Sequence, residues 1–199
     1  MDVHPQVFRD TPAILVESIW WDARTDEVVW VDITAGTLHR GRMDGAVDGS
    51  DDRVTELPPP LSAVQPRAAG GYIAALGPLE PFLVGYDSDG LALDTEGRFW
   101  NGVNGGGRVL RWSPDGTVED ELSVPAPGVT SVAFGGPELT TLFVGTAREN
   151  LTEADLVDAP LSGGIFRFDG LATGRPVNSY GRRSTSVPDP ATDPATDRI

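Results

Sequence analysis

Two carboxylates, Glu17 and Asp89, are the residues of this chain whose type and spacing could do chemistry. Each stands at the start of a short apolar segment in one copy of a repeated pattern, and Thr130 takes the same place in a third copy. Carboxylate and hydroxyl oxygens suit Ca²⁺, Mg²⁺ or Mn²⁺, and a carboxylate can also remove a proton from water. If the three positions meet in the fold, the sequence predicts an oxygen-rich cation site.

The composition excludes or disfavours most other kinds of catalytic site. The 199 residues include no Cys, the 15 basic residues are all Arg, and the two histidines are His4 and His39. Thiolate nucleophiles, disulfides and lysine Schiff bases are therefore excluded, and a zinc site built from several histidines is disfavoured. His39 alternates with Leu38 in a strand-like pattern, which predicts a surface or structural histidine.

The formal charge of -15 limits the expected partners. Nucleic-acid binding needs clustered basic residues, whereas the arginines here are scattered. No segment reaches the roughly 18 to 20 apolar residues of a membrane span, and the N-terminal segment lacks a signal-peptide pattern. We therefore expect a cytoplasmic protein with no nucleic-acid or membrane partner. The acidity fits either solubility alone or cation binding, and composition does not separate these two explanations.

The repeated pattern predicts the elements that must position the carboxylates. Each copy has two short apolar strands joined by a turn with Asp or Gly, then a third strand that ends in Asp-Gly, which is typical of antiparallel sheets. Residues 121–125 and 54–58 could supply a fourth strand. Four-stranded units of about 40 to 45 residues are typical of propeller blades. The first two strands span 17–31, 89–101 and 130–144, and the third spans 37–45, 108–116 and 164–170.

These repeats predict an all-β fold, a shortened β-propeller over residues 1–180. The spacing from Asp89 to Thr130 fits one blade, but the spacing from Glu17 to Asp89 is too long for one blade and too short for two. Residues 70–76 form a strand of an intervening blade, and the middle blades are missing around 77–87. About four blades would then remain. Residues 181–199, rich in Pro, Asp, Thr and Ser, are predicted to be a disordered tail.

The motifs SDGLALDTEGRFW, NGGGRVLRWSPDG and SGGIFRFDG, in this order between residues 88 and 170, resemble the senescence marker protein, regucalcin and gluconolactonase family of six-bladed β-propellers. The resemblance implies one divalent cation at the propeller axis and hydrolysis of sugar lactones. Glu17 matches the glutamate ligand of the first blade, with Val16 where the family usually has Gly. Asp89 matches an aspartate that is both ligand and general base, with Ser88 replacing a proline.

The family segments that carry asparagine ligands and substrate contacts in the middle blades have no counterpart in this chain. Asn101 and Asn104 lie beyond an aromatic of a second strand, so we predict that they are turn residues and not ligands.

Three hypotheses on function follow. The first is a divalent-metal-dependent hydrolase of sugar lactones, with Asp89 as general base and metal ligand and Glu17 as structural ligand. Its cation would be Ca²⁺ first, with Zn²⁺, Mn²⁺ or Mg²⁺ as alternatives, and its substrate a lactone or sugar acid. The second is a non-catalytic propeller fragment that binds a cation or a protein. The third is a scaffold propeller that binds peptides or proteins on its face. A half-open ring also predicts a homo-oligomer formed through open blade edges.

Overall fold

The computed structural model describes residues 4–66, 72–76 and 88–177, and these residues confirm the predicted β-propeller of four-stranded antiparallel blades. We call the sheets blades A to D in the order of their first strands. Blade A contains β2 (Val16–Asp22), β3 (Glu27–Asp32), β4 (Thr37–Arg42) and β5 (Arg53–Glu56), and blade B contains β6 (Leu61–Pro66) and β7 (Tyr72–Leu76). Blade C contains β8 (Ser88–Leu93), β9 (Phe99–Val103), β10 (Arg108–Trp112) and β11 (Val118–Ser123), and blade D contains β12 (Val129–Gly135), β13 (Thr141–Thr146), β14 (Ile165–Asp169) and β1 (Gln6–Arg9).

The blades follow one another around the channel in the order B, A, D, C. The first strand of blade D, β12, contacts β2 on one side and β8 on the other, and β2 also contacts β6. Both faces of blades A and D are apolar, because a blade within a ring packs against two neighbours. Alternating residues of one strand therefore enter two different apolar layers. In β2, for example, Trp20 packs towards blade B, while Ile19 and Trp21 pack towards blade D.

Each apolar layer joins the back face of one blade to the front face of the next, and we use "front" and "back" in this sense throughout. Aromatic side chains cross each layer. Trp100 on the back of blade C meets Phe134 on the front of blade D edge-on, at 5.7 Å between ring centroids. Trp20 on the back of blade A meets Tyr72 of blade B in the same way, also at 5.7 Å. The packing of side chains between blades, rather than within them, therefore forms the core.

The predicted fourth strands are confirmed in blades A and C, where they are β5 and β11. The fourth strand of blade D is β1, which comes from the other end of the chain and pairs with β14, Gln6 opposite Arg167. The repeated pattern of the sequence predicts no strand in this segment. The segment after β13 contains one short helix, α1 (Glu153–Asp158), which begins with a capping box at Thr152.

A buried ion pair joins β1 to blade A. The Arg9 guanidinium donates to Asp52 from Nε at 2.9 Å and from Nη2 at 2.8 Å, and Nη2 also donates to the Arg42 carbonyl at 3.1 Å. The two side chains of the ion pair are 1% and 2% exposed. Gly41 and Gly45 leave room for this guanidinium, because a Cβ at either would lie within 2.6 Å of Nη2. Arg9 thus ties the last blade to the first.

No helix in the part of the chain that the structure describes is long and apolar enough to cross a membrane. The predicted gap at 77–87 and the predicted disordered tail at 181–199 lie outside the described residues.

We expect Arg9→Ala to lower the free energy of unfolding by about 3 to 5 kcal/mol, because it leaves the Asp52 carboxylate buried without its partner. Urea unfolding followed by tryptophan fluorescence would measure the loss. Arg42→Ala is the matched control, since its side chain is 62% exposed and pairs with an Asp44 that is 76% exposed. That change should cost at most about 1 kcal/mol. Equal losses of unfolding free energy in the two variants would contradict the role of Arg9 in linking blades D and A.

Candidate metal centre

A β-bulge at the start of the first strand positions each candidate carboxylate. The register shifts between Glu17 and Trp20 in β2, and between Asp89 and Leu91 in β8. Bulges change the direction of a side chain relative to the rest of the strand. The repeat found in the sequence is therefore also a repeat of local backbone geometry.

The residue after each carboxylate has a positive φ, 50° at Ser18 and 31° at Gly90. Its backbone N–H donates back to the carboxylate, from Ser18 to Glu17 Oε2 at 3.3 Å and from Gly90 to Asp89 Oδ1 at 3.0 Å. A positive φ is uncommon for a residue other than glycine. Blades A and C thus hold their carboxylates by the same local motif.

Blade D lies between the two carboxylate-bearing strands and contacts both of them. On one side of β12, the Thr130 hydroxyl donates to the carbonyl of Val16 and the Ile19 N–H donates to Ser131 Oγ at 3.3 Å. On the other side, a Cβ at Gly90 would lie 2.6 Å from the Cα of Ser131, so only glycine allows this approach of β8 to β12. The starts of β2 and β8 are therefore fixed on opposite sides of β12.

Glu17 and Asp89 are close enough to interact electrostatically. Burial, and secondly the charge of Asp89, raises the pKa of Glu17 from 4.5 to about 8, against a smaller opposing effect of the Ser18 N–H. Desolvation and a nearby like charge both disfavour the ionised form of a carboxyl group. A cation bound between the two carboxylates would offset the repulsion between them and favour the ionised form of both.

Asn101 and Asn104 both contact Asp89, which the sequence analysis did not predict. Asn104 Nδ2 donates to Asp89 Oδ2 at 3.4 Å, and Asn101 Nδ2 donates to the Asp89 carbonyl oxygen at 2.8 Å. Asn101 is a buried residue of β9 and not a turn residue. The prediction of a turn therefore holds for Asn104 alone, which follows β9.

A repeated position could have identified Asn104. It bridges to Gly128 at the start of blade D, just as Ala147 bridges to Leu15 at the start of blade A. In both cases the residue after a second strand reaches the mouth of the channel beside the next blade. This signal lies at the ends of the second strands, whereas the two carboxylates were predicted from the starts of the first strands.

Two further residues named in the sequence analysis have structural roles. Thr130 lies at the predicted position, but it is fully buried and its hydroxyl proton is used on the Val16 carbonyl. His39 stacks on Trp30 at 5.2 Å between centroids and shares a hydrogen bond of 2.8 Å with Thr37 Oγ1. Burial lowers the pKa of His39. As predicted, His39 is a structural histidine.

The donor set of Glu17 and Asp89 fits a hard divalent cation, because it consists of carboxylate oxygens and one of the carboxyl groups is held at a raised pKa by burial and by the other. Within residues 4–66, 72–76 and 88–177, no group of three or more Asp, Glu, His or Cys side chains could hold a metal ion together. The two carboxylates would then need carbonyl, amide or water oxygens to complete the roughly six to eight ligands of a Ca²⁺ ion.

Stacked four-stranded blades with two carboxylates at the starts of their first strands define a β-propeller with a candidate cation site. Comparison with known families agrees with this class. The chain belongs to the SMP-30/gluconolactonase/LRE-like family, whose model matches residues 15–78 and 79–148.

Several relatives are similar to part of this chain. A 6-deoxy-6-sulfogluconolactonase of Pseudomonas putida is 50% identical over 78 residues, which are 39% of this chain and 27% of the relative. A pentonolactonase of Haloferax volcanii is 41% identical over 92 residues, which are 44% of this chain and 32% of the relative. The chain thus spans about a third or less of these curated relatives.

One solved structure has a closely similar fold. The calcium-binding protein regucalcin of Agrobacterium tumefaciens superposes with a TM-score of 0.74 over 89% of this chain and 97% of that one. The two sequences are 18% identical, so this likeness establishes the fold alone.

The raised pKa of Glu17 predicts how stability depends on pH without a cation. Between pH 4.5 and about 8 the folded state holds a proton on Glu17 that the unfolded state has lost, so stability should fall as pH rises through this window. Glu17→Gln should remove this dependence and raise the melting temperature at pH 8 by at least ~2 to 4 °C. Thermal melts in chelator at pH 5, 6.5 and 8 would measure both effects. Glu138→Gln, at an exposed turn, is the control and should behave as the parent chain.

Proposed function

We propose that this chain hydrolyses sugar lactones with a divalent cation held by Glu17 and Asp89. The observation that carries the proposal is the electrostatic coupling of these two carboxyl groups, which stand at the starts of the first strands on either side of β12. Carboxyl groups whose pKa is shifted by burial and by a like charge are often functional. A cytoplasmic location belongs to the same proposal.

The names of the similar proteins support the chemical class of the substrate. The matched relatives include a 6-deoxy-6-sulfogluconolactonase, a pentonolactonase and an L-arabinolactonase. They are lactonases for sugars of different size, and each is matched over about a third or less of its own length. We therefore propose the class, a lactone of a sugar acid, and no particular sugar.

Asp89 would act as the general base. When bound, a divalent cation would polarise the lactone carbonyl and lower the pKa of a water molecule. The Gly90 N–H and the Asn104 amide each donate to one Asp89 oxygen, which fixes the plane of the carboxylate. A carboxylate oxygen accepts more than one hydrogen bond, so Asp89 can keep these two contacts and also take a proton from the attacking water.

The proposed reaction balances with one water molecule and no other reactant. The water oxygen bonds to the lactone carbonyl carbon while Asp89 takes one proton. The ring C–O bond then breaks while Asp89 returns its proton to the ring oxygen, and the product is an open-chain hydroxy acid. Glu17 stays in place throughout as a structural ligand.

The second hypothesis, a propeller fragment that binds a cation or a protein without turnover, rests on a separate observation. The family resemblance implies asparagine ligands and substrate contacts from middle blades, and the segment 77–87 is too short to contain those blades. Two carboxylates could bind a cation weakly and still fail to orient a substrate. Cation binding without hydrolysis would favour this hypothesis.

We expect protein stripped of metal by a chelator to regain lactone hydrolysis when Ca²⁺, Mn²⁺ or Zn²⁺ is added. Asp89→Asn should lower kcat/KM for a sugar lactone by about 100-fold or more, because the amide cannot accept the proton. A pH indicator that follows release of the sugar acid would measure the rate. Asp44→Asn, at a side chain that is 76% exposed, is the matched control and should keep the parental rate.

Two results would separate the hypotheses. In the first, calorimetry detects Ca²⁺ binding that Asp89→Asn abolishes, but the chain hydrolyses no lactone with any of the three ions. This result would support the non-catalytic hypothesis. Hydrolysis that survives both chelation and Asp89→Asn would overturn the proposed site.

A further inference from the structure

The front face of blade C is an apolar surface without a neighbouring blade among the described residues. The front of blade A packs on the back of blade D, and the front of blade D packs on the back of blade C. The blade that would precede C in the ring falls in the gap predicted around 77–87. The front of blade C therefore carries residues of an interior layer on an open surface.

The equivalent positions of the three full blades show this directly. Leu91 is 63% exposed, whereas Ile19 and Val132, which follow Glu17 and Thr130 at the same spacing as Leu91 follows Asp89, are 6% and 4% exposed. Both of those residues lie in apolar layers.

Phe99, on the second strand of blade C, is also exposed at a position that is buried in the other two blades. It pairs with Leu93 as Val28 pairs with Trp21 and as Leu142 pairs with Phe134. Phe99 is 38% exposed, whereas Val28 and Leu142 are fully buried. In this fold, such positions are covered by the face of another blade.

The open face forms a groove of about 390 Å³. Its apolar walls are Leu91, Phe99, Trp112 and Pro114, and Asn101 and Ser113 add polar atoms. None of the described residues that line it is charged. Two copies of a chain with a formal charge of -15 repel each other, so an uncharged apolar face is where they can approach most closely.

The internal length of the chain argues against a covering blade from the same chain. A blade takes about 40 to 45 residues, whereas only the short segment 77–87 separates blade B from blade C. A second copy brings an identical apolar face. We propose that two copies associate face to face through the fronts of their C blades, in the two-fold arrangement that is commonest among homo-oligomers.

The charges of the edge strand favour association through the face of blade C. They disfavour association through the open blade edges that the sequence predicted. The edge strand of blade C, β11, carries consecutive acidic residues at 119–121. Charged residues on an edge strand oppose strand-to-strand pairing. Glu119 pairs with Arg98 and Arg111, and Glu121 pairs with Arg108. Strand-to-strand pairing of two such edges would have to bring these charged groups together, whereas the described lining of the groove on the front face contains none.

Sedimentation velocity over a range of protein concentrations tests this proposal. The parent chain should sediment as a dimer, and Leu91→Glu should raise the dimer dissociation constant on the order of 100-fold or more, because each dimer carries the change twice. Phe99→Gln should act in the same direction. The matched control is Val157→Glu, at an α1 residue that is 80% exposed and is distant in sequence from the residues that line the groove. This change should leave the dimer dissociation constant unchanged.

Melting temperatures of the same variants show whether the groove is covered by a second copy or by another part of the same chain. Leu91→Glu should melt within about 2 °C of the parent chain when both are diluted to monomers. A parent chain that is monomeric at every concentration would overturn the proposal. So would a dimer that persists in Leu91→Glu, or a monomer that this change destabilises because residues 77–87 cover the groove.

Discussion

Apolar packing between the faces of successive blades is the constraint on which the rest of this structure depends. A four-stranded sheet of this size cannot bury enough surface alone, so it must lie between two others or meet another surface. Trp30, Phe143 and Trp100 are almost fully buried, and each lies in a layer between two blades. The same constraint arranges the twisted blades around the propeller axis. This arrangement brings the starts of their first strands together.

The ion pair of Arg9 and Asp52 adds a specific link to this general packing. Apolar layers fix the faces that meet but allow some sliding, whereas a guanidinium that donates to one carboxylate through two nitrogen atoms fixes orientation. Its position between β1 and the loop before β5 joins blade D, through the outermost strand of that blade, to blade A. The link therefore holds blades A and D in the relative position on which the Thr130 to Val16 hydrogen bond depends.

The sequence predicted what is local and periodic and missed what depends on the ring. Strand alternation and Asp-Gly turns identified three blades and two of the fourth strands, because each of these is specified within the length of a single blade. The strand β1 was missed because its partner β14, where Arg167 pairs with Gln6, lies near the opposite end of the described chain. Asn104 was assigned to a turn, correctly, but its contact with Asp89 exists because blade C folds back on itself between the two residues.

The arrangement of blades also explains how a shortened ring can retain part of a site. Glu17 belongs to blade A and Asp89 to blade C, and blade D lies between these two. The contacts that hold the two carboxylates, Thr130 to Val16 and Gly90 against Ser131, all pass through blade D. The blades predicted to be missing would belong on the opposite side of the channel. On the proposed function, their absence would leave the carboxylate pair in place and remove the ligands that the family resemblance implies, so that cation binding and turnover would be separable.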